Sequence, residues 1–252
     1  MVTYNEEKNI NKSLASVIDW VDEVVIVDGK STDDTIKKAK KFGAKVKIYQ
    51  YDNPDNFLIN RGRAISKAKN AWVLVLDADE VIPLNLKKEI EEVLTLDVKI
   101  AYHIPRLNYF LGTGLKKGGQ YPDYCLRLFI KKYAQQTTKT VHDQIKILGN
   151  PEKIGYLENY IEHFPYRTFE VYLRKWIQYS SFEADELTRQ GVKPNFTLAI
   201  KYCFLYPKCW FLKTYFRHKG FVDGFSGFVF SWFSALRFFA IYIKLYEKNR
   251  HK

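Results

Sequence analysis

The sequence predicts an α/β fold with a mostly parallel sheet, flanking helices and a helical C-terminal appendage rich in aromatic residues. Short apolar runs such as Val24–Val27 and Trp72–Leu76 are typical of buried strands. Segments with apolar residues at helical spacing lie between these runs, and strands that alternate with helices form parallel sheets covered on both faces. The aromatic and basic C-terminal region is a third observation, and it predicts the appendage.

The elements follow in chain order. We predict that the chain begins within a short first strand. Further strands are predicted at residues 24–27, 46–49, 72–76 and 126–130. A helix with Asn5 as its N-cap carries Ile10, Leu14, Val17 and Ile18 on one face. We predict three later helices, one that starts at Ser31–Asp34, one over residues 58–69 and one over residues 169–187. The last of these carries an aromatic stripe that predicts core packing: Phe169, Tyr172, Trp176 and Tyr179.

Composition limits the classes of protein. A chain of 252 residues with 46% hydrophobic residues can bury a sizeable core. The net charge of +12 indicates an anionic partner, although the absence of a nucleic-acid-binding motif leads us to expect no nucleic acid. The alternative of a nucleic-acid-binding module stays open on charge alone. Three cysteines without metal-ligand spacing indicate reduced thiols and a cytoplasmic protein.

The C-terminal region has a composition of its own. Residues 196–246 hold 18 of the 41 aromatic residues and seven Lys or Arg against one acid, Asp223. This composition is typical of helices that lie in a membrane interface. A helical subdomain that packs on the sheet, or a dimer surface, is the alternative. We expect neither a signal peptide nor a membrane-spanning helix, because no uninterrupted run of about 20 apolar residues occurs.

Several carboxylates follow predicted strands, where parallel sheets bind their ligands. Asp77 and Asp79 come directly after a buried strand and can share a hard divalent cation, Mg²⁺ or Mn²⁺, that also holds substrate phosphates. A solvated turn is the alternative. Asp28 ends another strand and can accept a hydrogen bond from a ribose or base, or it can simply form the turn. Arg61 and Arg63 lie on the helix before the Asp77 strand, where a guanidinium can contact a diphosphate. The alternative is that both are ordinary surface charges.

Three motifs carry a family resemblance: Val2–Glu7, Val27–Thr35 and Leu76–Glu80. Their order and spacing resemble those of glycosyltransferase family 2, and the chain is similar to that family's bacterial lipopolysaccharide-core β-glucosyltransferases. Segments further along the chain extend the resemblance: residues 118–122, Arg127–Phe129, Val141–Asp143 and Gly220–Gly224.

The resemblance implies a GT-A fold, a nucleotide-sugar donor and inversion at the anomeric carbon. It implies a nucleotide-sugar-binding and catalytic domain over residues 1–165 and a membrane-associating helical region over 166–252. Asp143 is the implied general base, because the attacking hydroxyl must lose its proton to a nearby carboxylate. His163 is a candidate third metal ligand beside Asp79 and Asp77 or a contact to the diphosphate, with a structural role as the alternative. The implied donor site consists of Thr3, Tyr4, Asn5, Glu6, Asp28, Arg61, Asp77, Ala78, Asp79 and His142.

We therefore expect a metal-dependent enzyme that moves a hexose, glucose from UDP-glucose, onto a lipid-linked saccharide such as the lipopolysaccharide or lipooligosaccharide inner core. A polyprenyl-phosphate glycosyltransferase is one alternative, and an inactive family member that serves as a scaffold is another. We expect the protein at the inner face of the cytoplasmic membrane, peripherally bound to its anionic surface.

Overall fold

The computed structural model describes residues 1–54, 56–96, 98–137 and 145–250. The first half alternates between strands and helices as predicted. Its elements are β1 (Val2–Thr3), α1 (Ile10–Ala15), β2 (Val24–Asp28), α2 (Thr35–Lys40), β3 (Val46–Gln50), α3 (Leu58–Lys67), β4 (Trp72–Leu74), β5 (Glu80–Val81) and α4 (Leu84–Leu96).

The second half begins with strands and ends with helices. Its strands are β6 (Ala101–Phe110), β7 (Thr113–Gly114), β8 (Asp123–Ile130), β9 (Ala134–Gln136), β10 (Ile145–Ile147), β11 (Ile154–Tyr156) and β12 (Ile161–His163). Its helices are α5 (Phe169–Arg189), α6 (Phe196–Ile200), α7 (Tyr206–Phe211) and α8 (Gly224–Arg250), with π-helical turns at Lys201–Leu205 and Leu212–Arg217 and short 3₁₀ turns at Lys131–Tyr133, Pro151–Lys153 and Gly220–Asp223.

The strand β2 shows why the first half folds as an α/β layer. All five of its residues are buried. Ile26 packs with Ile10 and Leu14 of α1 on one face, and Val27 packs with Ala64 of α3 on the other. A strand covered on both faces has no side exposed to solvent, so polar residues do not alternate with apolar ones along it. This explains its continuous apolar run.

The sheets combine parallel and antiparallel pairing. The strands β1, β2 and β3 pair in parallel, as predicted. A second sheet has the order β4-β8-β6-β12-β5, in which β8 runs antiparallel to both β4 and β6. The predicted α/β class with flanking helices is confirmed, but parallel pairing does not extend through the second sheet. The chain reverses direction between β6 and β8 without a crossover helix, and such a connection yields antiparallel neighbours.

The chain divides into two compact units. One consists of Met1–Arg106 and Asp123–His163, and the other of Leu107–Pro122 and Phe164–Lys252. The second unit thus contains an internal segment in addition to the C-terminal helices. The division at residue 165 that the sequence suggested stays a prediction.

The aromatic stripe on α5 forms part of the core of the second unit. Phe169, Tyr172 and Trp176 pack with aromatic residues of α8, and Trp176 Nε1 donates a hydrogen bond to the Phe233 carbonyl at 2.7 Å. Tyr179 is exposed, so the prediction of core packing holds for three of the four residues.

One helical segment in the described part of the chain, Gly220–Arg250, is long and apolar enough to cross a membrane by length and composition alone. Its most apolar window has a mean hydropathy of 1.5. The expectation that no segment has this length and apolar character was wrong, because it required an uninterrupted apolar run. A single charge such as Arg237 ends a run without making its surroundings polar. Length and composition do not distinguish a spanning helix from a helix packed in a soluble protein. That the chain does not span a membrane stays a prediction.

Candidate active site

The carboxylate of Asp28 is buried at the end of β2 and is surrounded by donors of its own chain. Thr3 Oγ1 and Ser31 Oγ donate to its Oδ1, while Ser31 N donates to Oδ2 at 2.8 Å and Gln50 Nε2 at 3.3 Å. A carboxylate has about four acceptor positions. These contacts occupy all four, so the predicted contact of Asp28 with a nucleotide stays a prediction that requires one donor to move.

The loop after β1 and the loop after β2 are joined by hydrogen bonds. Asn5 adopts a left-handed conformation with φ 56°, and its Oδ1 accepts from Thr32 N at 2.8 Å. Glu6 N donates to Thr35 Oγ1 at 2.7 Å. The prediction that Asn5 caps α1 was wrong, because α1 begins at Ile10 and Asn5 binds the neighbouring loop instead. A short amide side chain tolerates this backbone conformation better than most residues.

The other predicted donor residues of the first loop differ in exposure. Thr3 is buried beneath Asp28, whereas the ring of Tyr4 is exposed and available to stack on a base. Ala78 is buried in the core beside β2 and α1, so only its backbone can serve a ligand. The donor-binding roles of these residues stay predictions.

Asp77 lies between two arginines at the end of β4. Arg61 Nη2 donates to both carboxylate oxygens, at 2.8 and 3.1 Å, and Arg127 Nη2 donates to Oδ2 at 2.8 Å. Burial alone would raise the pKa of Asp77, but the two guanidinium charges outweigh it and hold the pKa well below its usual range. Asp77 is therefore an ionised acceptor whose oxygens are already engaged by arginines.

Glu80 is fully buried and fixes the turn that carries both aspartates. Its Oε2 accepts from Asp77 N at 2.9 Å, and its Oε1 accepts from Arg127 at 2.6 Å. Arg106 lies 3.6 Å from Oε1 and also forms two hydrogen bonds with Asp123. Burial raises the pKa of Glu80. Together with Arg61, these residues form a charge network of three arginines and three carboxylates that includes both ends of the Asp77–Glu80 turn.

Asp79 and His163 approach each other across paired strands. His163 of β12 is in register with Glu80 of β5, and this pairing brings its Nε2 to 3.4 Å from Asp79 Oδ2. Both side chains are only partly accessible to solvent. The arrangement presents one carboxylate and one imidazole at the same point of the sheet edge.

The residues present fit a divalent cation that the substrate helps to bind. Within the described ranges, no cluster of three or more His, Cys, Asp or Glu residues could hold a metal ion unaided. Mg²⁺ and Mn²⁺ sites that act on diphosphates often take only one or two protein ligands and complete their coordination with phosphate and water. Asp79 supplies one such carboxylate, and the His163 imidazole beside it is a further candidate ligand that suits Mn²⁺ better than Mg²⁺. Asp77 fits it less well, because it would have to release an arginine to bind the cation directly.

The predicted general base and its neighbour are not placed by the structure. His142 and Asp143 lie outside the described residues, so the acceptor side of the site stays a prediction.

Sequence reasoning gave no role to Arg127, Arg106, Asp123 or the side chain of Glu80. One signal was available: Arg127 interrupts the otherwise apolar run Cys125–Phe129 in the middle of a strand. An arginine within a buried strand requires a carboxylate partner. Its partners are 47 and 50 residues away along the chain, so their identity depends on the fold.

Comparison with known proteins decides the family. The family model described as Glycosyl transferase family 2 matches residues 1–179. The chain belongs to glycosyltransferase family 2. An uncharacterized glycosyltransferase of Rickettsia typhi is 35% identical to this family member over 257 residues, which cover 98% of the chain and 85% of the relative. The lipopolysaccharide core biosynthesis glycosyltransferase LpsC of Rhizobium meliloti is 26% identical over 258 residues, which cover 100% of the chain and 92% of LpsC.

Solved structures confirm the GT-A fold of this glycosyltransferase. Staphylococcus aureus TarS in complex with UDP-GlcNAc has a TM-score of 0.51 at 18% identity, with 99% of this chain and 90% of that chain covered. The mannosyltransferase PcManGT of Pyrobaculum calidifontis, in complex with GDP-Man and Mn²⁺, has a TM-score of 0.52 at 12% identity, with 97% and 85% covered. At these identities the likeness concerns the fold.

Proposed function

We propose that this glycosyltransferase moves a hexose, with inversion, from a nucleoside diphosphate sugar to a lipid-linked saccharide. The observation that carries the proposal is the Asp79–His163 pair beside the arginine-bound Asp77. UDP-glucose is the donor we propose, and the inner core of a lipopolysaccharide or lipooligosaccharide is the acceptor. The likeness to LpsC supports the acceptor class. The donors and the Mn²⁺ in the names of the two structural neighbours support a nucleotide-sugar and a divalent cation.

In this proposal each part of the site acts on a different part of the reaction. Asp79 and His163 would hold the cation, which supplies positive charge to the departing diphosphate. Arg61 would add a guanidinium to the same oxygens if it turned away from Asp77. Glu80 and Arg127 hold the turn in place from beneath.

The acceptor side follows from the stereochemistry. The acceptor oxygen attacks the anomeric carbon on the face opposite the diphosphate, and the bond from that carbon to the diphosphate breaks. The proton of the acceptor hydroxyl passes to a carboxylate within hydrogen-bond reach, for which we propose Asp143. His142 would lie beside this base.

Replacement of Asp79 by alanine tests the proposed site. We expect Asp79→Ala to lower the rate of UDP release from UDP-glucose by at least about a hundredfold, because the diphosphate loses its cation. It should also abolish the increase in UDP affinity that Mn²⁺ or Mg²⁺ gives, as measured by calorimetry. Asp19→Ala, which removes an exposed carboxylate of the same unit, is the control.

Two outcomes would contradict the proposal. Wild-type turnover in Asp79→Ala would show that the cation site lies elsewhere. Failure of the wild-type chain to bind UDP with either cation would favour the inactive scaffold. A donor screen with both a lipid-linked saccharide and a polyprenyl phosphate as acceptors separates the proposed function from the polyprenyl-phosphate alternative.

We also propose that the protein is cytoplasmic and binds peripherally to the inner face of the cytoplasmic membrane. The aromatic and basic composition of residues 196–246 supports this location.

A further inference from the structure

One end of the second unit exposes an apolar surface. It is formed where the π-helical turn Leu212–Arg217 meets the 3₁₀ turn Gly220–Asp223 and the start of α8. Four apolar side chains are largely exposed there: Phe216 (55%), Phe221 (49%), Val222 (57%) and Phe225 (75%). The ring of Tyr215 contacts both Phe216 and Phe221, with centroids 5.1 and 6.1 Å apart. Tyr215 therefore connects Phe216 and Phe221, and Val222 and Phe225 are exposed in the adjoining turn and helix start. Clusters of exposed apolar side chains mark interaction sites.

An internal loop is bonded to this patch. The Asp223 carboxylate accepts from Lys116 N at 3.2 Å and from Lys117 N at 2.8 Å, and Gly118 N donates to the His218 carbonyl at 2.9 Å. Residues 116–119 and 213–225 thus form one continuous surface, which we call the docking tip. Two backbone N–H groups partly compensate the charge of its only acid, Asp223.

The docking tip is strongly basic. Five of its side chains are exposed cations, and they lie in both the loop and the helical turns: Lys116, Lys117, Lys213, Arg217 and Lys219. Exposed apolar side chains together with exposed Lys and Arg in the same segments match the two layers of an anionic bilayer surface, where acyl chains lie beneath negatively charged headgroups.

We propose that the docking tip inserts its apolar side chains into the surface of an anionic membrane and that its cations bind the lipid headgroups. The proposal deepens the proposed function, on which it rests for the membrane location, by naming the residues that make the contact. Nucleic acid is a poorer match, because single-stranded chains bind to polar grooves in which aromatic rings stack on bases. Val222 has no ring that can stack on a base.

The packing of α8 favours contact at the surface over a membrane span. Gly227, Ser231 and Ala235 are buried within the unit. Lys244 Nζ binds the Ile177 carbonyl of α5 at 2.6 Å. Insertion of the docking tip leaves these contacts in place.

Flotation with lipid vesicles, performed on the full chain without nucleotide, tests the proposal. We expect binding to vesicles of phosphatidylcholine mixed with phosphatidylglycerol, release at high salt and little binding to phosphatidylcholine alone. The double variant Phe221→Ser/Phe225→Ser should reduce the bound fraction at least about tenfold, because two apolar side chains no longer insert. Lys213→Glu should weaken binding to the anionic vesicles roughly fivefold or more.

The control is Leu84→Ser, which removes an equally exposed apolar side chain from the first unit and should bind like the wild type. Thermal melts followed by circular dichroism confirm that each variant is folded. Wild-type flotation of the double variant would overturn the proposal. So would resistance of the bound protein to salt and alkali, which indicates a spanning helix, or binding to nucleic acid without binding to vesicles. UDP binding is measured separately without lipid, so a failure of the proposed function remains distinguishable.

Discussion

At the scale of single residues, Arg127 links the two carboxylates beneath the site. It is almost fully buried and donates to Asp77 and Glu80 through the same nitrogen. A buried ion pair contributes little net stability when complete, but the loss of one partner leaves the other charge without compensation in a poorly solvated place. Although Arg127 is buried, it therefore helps to determine the shape of the Asp77–Glu80 turn.

Replacement of Arg127 by methionine should lower the free energy of unfolding by about 3–5 kcal/mol, because two carboxylates lose a shared cation. Urea denaturation measures this change. The control is Arg174→Met, which breaks an exposed ion pair with Glu170 on α5 and should cost less than about 1 kcal/mol. A loss below about 1 kcal/mol in Arg127→Met would show that Arg61 and Arg106 compensate on their own.

The lowered pKa of Asp77 predicts a pH dependence of stability. The pKa of Asp77 is lower in the folded chain than in the unfolded chain, where it is about 4. The contribution of Asp77 to the free energy of unfolding is therefore complete above about pH 4 and is lost as the pH falls below that value. Asp77→Asn should therefore weaken the decrease of stability between about pH 4 and pH 2, as measured by urea denaturation without divalent cations. An unchanged acid dependence would show that other carboxylates dominate it.

At the scale of elements, α8 depends on a close contact that only glycine permits. A Cβ atom on Gly227 would overlap the Gly220 carbonyl oxygen and lie 2.9 Å from Asp223 Cβ. The first of these neighbours is backbone and cannot turn aside. The turn that presents the apolar residues of the docking tip is therefore held against α8 at this position.

Gly227→Ala should lower the free energy of unfolding by about 1–3 kcal/mol, because the added methyl group forces the backbone apart. Gly62→Ala is the matched control in α3, where the new Cβ meets only ordinary contacts with Gln136. It should be neutral or stabilising by up to about 1 kcal/mol, because alanine favours the helix. Equal effects of the two substitutions in urea denaturation would contradict the contact at Gly227.

The elements also show what the sequence could predict. Apolar periodicity was sufficient for β2, β3, α3 and α5, which have strong patterns and lie where expected. It failed for the start of α1, because Asn5 can serve as a cap or as a left-handed loop residue, and only the neighbouring loop decides between them. It could not give the direction of β8, because an apolar run fits a parallel and an antiparallel neighbour equally well.

At the scale of the whole molecule, family membership and fold were predictable because three motifs occur in order along the first 80 residues. The charge network could not be predicted from the sequence, because its members come from α3, β6, β8 and the turn after β4. Only the fold brings these elements together. The sequence also did not reveal that cations cluster at the docking tip. Composition located the excess charge in the C-terminal region, but the loop lysines join it through Asp223.

The saturated carboxylate of Asp28 has a consequence for how a nucleotide would bind. If a ribose or base takes one of its four acceptor positions, a donor from Thr3, Ser31 or Gln50 must leave. Association would then exchange one hydrogen bond for another, and the new contact would add little net enthalpy. The exchange would require a rearrangement step after encounter. In stopped-flow measurements, the observed rate would level off at high nucleotide concentration instead of rising in proportion to it.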